Sequence, residues 1–138
     1  MNSAIIPLRK ALYNLLAKDA VLANVITGVF DYVPETQTFP YIYIGEFTEA
    51  SNHTFVREGR IVTGALHVWS EQKSDMELLE ILDRLTALLD HNEFPVDGWH
   101  MVVSQVMSSM ILRERLRTDF DDTKRQAVVN AMFTLERG

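Results

Sequence analysis

The chain has 138 residues, of which 47% are apolar and 23% charged, with no cysteine and a formal net charge of −6. That is the size and composition of one folded domain, expected to run over residues 1–138, and it excludes disulfides, a thiolate nucleophile and cysteine-ligated zinc. The acidity argues against a general nucleic-acid binder, which needs a net basic face.

Residues 4–18 set Ile5, Leu8, Leu12, Leu15 and Leu16 at spacings of three and four, which predicts an amphipathic helix with Pro7 in its first turn. The opening residues have no basic stretch ahead of their apolar ones, so no secretory leader is expected there. Residues 20–26 read as a short second helical piece ended by Gly28. Residues 29–33 form a short strand closed by Pro34. A connection over 34–40, bracketed by Pro34 and Pro40, then leads to the aromatic strand at 41–47. Residues 49–60 are polar and carry neither helical nor strand periodicity, which predicts a long loop.

The third strand covers residues 60–70 and alternates over 63–70. Ser74-Asp75-Met76-Glu77 has the form of a capping box, opening a second main helix over 74–90 with Leu78, Leu79, Leu82, Leu85, Leu88 and Leu89 as its apolar stripe. Two long strands follow at 99–112 and 125–137. In the last, Ala127, Val129, Ala131, Phe133 and Leu135 share one side. The segment between them, 113–125, is dense in charge. The order of helix, three strands, helix and two strands predicts an α+β fold: an antiparallel sheet of four to five strands with both main helices on one face.

The strand at 99–112 departs from one-sided patterning. Trp99, Met101, Val103 and Met107 fall on one face by strict alternation, and Val102, Val106 and Met110 on the other. Two readings fit: a β-bulge near Ser104 that shifts the register, or a subunit interface with methionines filling an adaptable contact.

Catalytic signatures are missing from the sequence. The histidines at 53, 67, 91 and 100 have no metal-ligand spacing, and His67 reads as a sheet-face residue. Asp119-Phe120-Asp121-Asp122 lacks the spaced oxygens and turn glycine of a calcium loop. The glycines form no phosphate loop, and no serine sits in a nucleophile elbow. Arg113, Arg115 and Arg117 would share one side of a continuing strand and make a local basic stripe. The competing reading is a turn whose arginines pair with Asp119, Asp121 and Asp122.

Taken together, Val29-Phe30-Asp31-Tyr32-Val33-Pro34, then Phe39-Pro40-Tyr41-Ile42-Tyr43-Ile44-Gly45-Glu46, a long loop, and Leu66-His67-Val68-Trp69-Ser70 ahead of a capped helix form a pattern. It resembles the tail completion proteins of long-tailed bacteriophages, also called tail terminator or tail-to-head joining proteins, with relatives in prophages and gene transfer agents. Its most specific parts are Phe30-Asp31, Pro34, Pro40-Tyr41-Ile42 and Val68-Trp69-Ser70. The resemblance implies a small α+β subunit without enzymatic activity or cofactor, made in the bacterial cytoplasm and resident in the virion. It further implies a ring of copies, commonly a hexamer, that caps the tail tube, ends its growth and docks the head connector, while DNA passes without specific binding. The runner-up is a non-enzymatic α+β adaptor or ligand-binding domain of bacterial origin.

The residues expected to meet partners come from three segments. They are His53, Phe55, Arg57 and Arg60; then Met101, Met107 and Met110; then Arg113, Arg115, Arg117, Asp119, Asp121 and Asp122. The expected partners are other copies of the chain, the tail tube protein and the head–tail connector. No catalytic, cofactor or metal residue is expected, and no membrane contact.

Overall fold

A computed structural model describes residues 3–54, 56–71, 74–113 and 125–138, with backbone alone at Arg113. The elements run α1 (Ile5–Ala17), α2 (Ala20–Ala23), β1 (Val29–Phe30), β2 (Tyr41–Ser51), β3 (Gly59–Ser70), α3 (Met76–Leu89), β4 (Trp99–Arg113) and β5 (Arg125–Arg137). The strands form one five-stranded sheet in the order β1-β2-β3-β5-β4.

The sheet is mixed, not wholly antiparallel. β1 pairs parallel to β2, Val29 opposite Ile42 and Phe30 opposite Tyr43. Parallel neighbours need a return connection. β1 is only two residues long, so residues 31–40 carry the chain back over a rise of just ~7 Å. The other pairings are antiparallel, as the order of elements predicts.

Both long helices pack on the same face. α1 buries Leu8, Leu12 and Leu16, four residues apart, and α3 buries Leu78, Ile81, Leu82, Leu85, Leu88 and Leu89. They share a core with Ile42 and Ile44 of β2, Val62, Leu66 and Val68 of β3, and Ala127, Val129, Ala131, Phe133 and Leu135 of β5. Leu79, counted in the apolar stripe from sequence, is instead exposed at 45%, and Ile81 takes a core position.

The helix termini use partners from distant strands. Ala4 caps α1 without a side-chain bond of its own. Instead its N–H donates to Glu49 Oε2 at 2.7 Å, and Ser3 Oγ donates to the same oxygen at 3.2 Å. A carboxylate there also faces the positive end of the helix dipole. The capping box foreseen at Ser74 does not form. Asp75 is the N-cap and makes no capping bond. Glu77 accepts from Ser70 Oγ at 2.7 Å, and Asp75 pairs with Arg125 Nη1 at 2.7 Å. The acids that would close the box are drawn to the sheet.

Candidate functional site

The sheet face opposite the helices is the main candidate surface. Register places cross-sheet rows on it: Tyr43–His67–Val128–Met110 and Tyr41–Trp69–Gln126–Leu112. Thr63–Met132–Gln105 and Ala65–Asn130–Ser108 lie beside them. Among the described residues neither long helix covers this face, since both are committed to the core on the other side. Its polar groups bond within the layer. Gln126 Nε2 lies 2.7 Å from His67 Nδ1, His67 Nε2 lies 3.3 Å from Glu46 Oε2, and Asn130 Nδ2 donates to Ser108 Oγ at 3.1 Å. A donating Gln126 amide fixes the ring proton on Nε2, where the Glu46 carboxylate accepts it. His67 also lies against Tyr43, ring centres 5.7 Å apart. Within these four rows His67 and the two tyrosines are the titratable side chains, with the Glu46 carboxylate beside His67, so this part of the face is mostly a surface of aromatic, aliphatic and amide groups.

β4 answers the question left open by its patterning. Its pairing with β5 shifts between Met101 and Val103 and again between Val106 and Ser108, so Val102 and Met107 are bulge residues. Trp99, Met101 and Ser104 turn inward and are buried, whereas Val102, Met107, Met110 and Leu112 are exposed. The bulges exist, and the exposed apolar side chains remain. β4 is also an edge strand of fifteen residues, long for an edge. Such edges invite pairing unless kinked or covered. Here two bulges break it, and Asp90 Oδ1 takes the Val106 N–H at 3.0 Å. Ser104 Oγ donates to the Leu89 carbonyl, fixing the end of α3 to the strand.

The residues expected at the interface separate into groups. Met107 and Met110 are on the surface. His53 and Arg57 are exposed in the link between β2 and β3, where His53 Nδ1 accepts from the Gly59 N–H at 3.3 Å. This link is shorter than the loop predicted over 49–60, because β2 runs on to Ser51 and β3 begins at Gly59. Two placements correct the expectation of surface residues: Met101 is 3% exposed and Arg60 is 1% exposed. Arg60 donates to the Gly59 carbonyl and to Glu58 Oε1, each at 2.8 Å, and approaches Glu49 at 4.0 Å. Its guanidinium lies over Trp99, 5.7 Å from the ring centre, with Arg137 at 5.3 Å. Arg60 is thus a strut inside the subunit. Phe55, Arg115, Arg117, Asp119, Asp121 and Asp122 lie outside the described residues, as does the side chain of Arg113.

A second surface escaped the sequence reading. A groove of about 600 Å³ runs between α1 and the β1 edge, lined by Ile6, Arg9, Lys10, Tyr13, Phe30 and Asp31 among others. Ile6 is 77% exposed and Tyr13 47%. The signal was present: Ile6 and Tyr13 stand seven residues apart on one helical stripe, outside the Leu8–Leu12–Leu16 row. No cluster of three or more potential metal ligands occurs among the described residues, and among them no helix is long and apolar enough to cross a membrane.

With this geometry in place, residues 10–134 match the family described as Tail completion protein gp17. The fold matches a chain from a solved structure titled "Virion of native gene transfer agent (GTA) particle", with a TM-score of 0.85, 17% sequence identity and 99% of each chain covered. A comparison with curated protein sequences finds no match.

Proposed function

The chain belongs to the tail completion protein gp17 family, a structural component of a tailed particle and not an enzyme, and from that premise we propose that it closes the tail tube as a ring of copies. The ring, six-membered in this reading, ends tube growth and presents the docking surface for the head connector. Its partners are therefore its own copies, the tail tube protein and the connector.

The observation that supports this reading most directly is the sheet face left open by the helices. A two-layer subunit leaves one side of its sheet to solvent, and such a side is ordinarily polar and charged. Here its rows carry Tyr43, Trp69, Val128, Met132, Met110 and Leu112. A surface of this kind is what a protein with lateral partners presents. A closed ring follows when the contact joins two different patches and the rotation between copies closes. The open groove beside β1 brings no convergent set of polar groups to an enclosed centre, as a ligand-binding domain would require.

The test is the length of the tail tube. Particles assembled without this protein are expected to carry overlong tubes without heads when viewed by electron microscopy, and adding the purified protein to growing tubes should arrest them. Tubes of normal length, joined to heads, in its absence would overturn the reading.

A further inference from the structure

Ile6, Arg9, Lys10 and Tyr13 fall on one stripe of α1 and line one wall of the groove beside β1, with Phe30 and Asp31 on the other. A second hollow of about 320 Å³ shares Tyr13, Val29 and Phe30 with it and reaches Ile26. Together they form an open trench along the sheet edge, the shape of a site for a chain and not for a small molecule.

Backbone and charge are both available in this trench. Val29 pairs with Ile42 in parallel register, and the Ile42 N–H donates to the Gly28 carbonyl at 3.1 Å. Successive residues of a strand direct their amide groups to opposite sides. Gly28 and Phe30 therefore turn to β2, and Val29 turns its N–H and C=O outward, where β1 ends the sheet. The Arg9 guanidinium rests over the Phe47 ring, 5.5 Å from its centre. Among the described residues neither Arg9 nor Lys10 makes an ion pair. With Asp31 as the one acid of the lining, the groove keeps a positive excess in a chain of net charge −6.

We infer that the groove docks an extended segment of a different protein, one carrying an apolar side chain and a carboxylate two residues apart. Such residues share one face of a strand, ~6.7 Å from each other. The apolar side chain seats against Ile6 and Phe30. The carboxylate meets Arg9 and Lys10 one helical turn on, ~5.4 Å along α1, and the segment's backbone bonds to Val29 as an added strand. The other open sheet edge of a second copy does not fit, because β4 has no acid from Trp99 to Arg113 and offers the cations nothing. The site stands apart from the ring reading, which concerns contacts between copies.

The probe is the peptide acetyl-Ser-Thr-Phe-Thr-Glu-Thr-Ser-Thr-amide, titrated to about 2 mM into the isotope-labelled full chain and followed by amide NMR shifts. Saturable shifts are expected at Val29 and Phe30 and along residues 6–13. A peptide with lysine in place of its glutamate should bind the wild type about fivefold more weakly or worse. Arg9→Glu with Lys10→Glu should reverse the preference between the two peptides, and the wild-type comparison stands even if that variant fails to fold. A peptide with alanine in place of its phenylalanine should also bind more weakly. No shifts, shifts confined to other surfaces, or equal binding of the glutamate and lysine peptides would overturn the site. Native mass spectrometry closes the remaining route: a fall in oligomeric mass on reversing Arg9 and Lys10 would mean that a second copy fills the groove, and would overturn the assignment to a different protein.

Discussion

Asp19 and Arg84, 65 residues apart in sequence, form a two-pronged ion pair: Arg84 Nε donates to Oδ2 at 2.9 Å and Nη2 to Oδ1 at 2.6 Å. The same Asp19 carboxylate accepts the Leu22 N–H at 3.0 Å and so caps α2. One side chain thereby ties the short helix to the long one. Asp19→Ala should destabilise the subunit by about 1–2 kcal/mol, chiefly through the lost cap, whereas Asp19→Asn keeps a capping oxygen and should lose less. Denaturant titration at neutral pH measures both.

The pair also sets an acid limit. The hydrogen bond from Arg84 holds the Asp19 carboxyl below its ordinary value of 3.8, desolvation opposes it, and the Leu22 N–H adds to the lowering. A carboxyl lowered by folding contributes stability that is complete above pH ~3.8 and is lost as pH falls through its folded value. Wild type should therefore lose stability below pH ~4 more steeply than Asp19→Asn. Parallel acid limbs for the two proteins would remove Asp19 from the account.

Glu49 joins three elements: it accepts from the Ala4 N–H at the head of α1, from Ser3 Oγ, and lies 4.0 Å from the buried Arg60. Glu49→Ala removes the acceptor and the charge together and should cost about 1–3 kcal/mol. The loss should be local first. Amide exchange in the opening turn of α1 is expected to quicken before that of Leu12 or Leu16, and uniform quickening would contradict the anchoring role.

Where the sequence was legible, the pattern was local. The Leu8–Leu12–Leu16 stripe of α1 and the alternation from Ala127 to Leu135 in β5 repeat at helix and strand periods, and each element stands where those periods predict. Contacts between distant segments were not legible. Arg60 reads as a surface charge until Trp99 closes over it and Glu58 meets it. Ser74 to Glu77 has the spacing of a capping box, yet Ser70 and Arg125 compete for its acids from the sheet. The bulges at Val102 and Met107 invert the alternation of β4 over residues 103–106 and then restore it, and only pairing with β5 reveals them. Of the proposed interaction surface, the exposed Met107 and Met110 were legible as apolar excess. Beside β1 only the Ile6–Tyr13 stripe of α1 was legible, and the groove it lines was not, because that depends on how α1 lies against the sheet edge.

Two glycines separate hard from soft crowding. A Cβ on Gly59 would stand 2.1 Å from the Asn52 carbonyl oxygen, and one on Gly64 would stand 2.3 Å from the Phe47 ring. The first obstacle is backbone held by the Asn52 N–H bond to the Gly59 carbonyl at 2.9 Å; the second is a side chain that can turn. Gly59→Ala should therefore cost about 2 kcal/mol or more, and Gly64→Ala less. Thermal melts rank them, and the reverse order would mean that the Phe47 ring is the less yielding neighbour.

Assembly and folding should part at Met107 and Met110, which are 53% and 51% exposed. Met107→Lys with Met110→Lys adds two cations at positions that contribute little to the core, so stability should change by no more than about 0.5 kcal/mol per site. If the proposed ring buries these positions, the same ammonium groups would have to be desolvated against an apolar contact, which is strongly unfavourable without a paired anion. The double variant is expected to keep its melting temperature and lose its higher-order mass. Met101→Lys provides the contrast, since Met101 is 3% exposed and lies within the core: it should unfold the subunit outright. If the double variant assembled as wild type does, the exposed methionines of β4 would have no part in the contact between copies, and the open sheet face would have to meet its partner elsewhere.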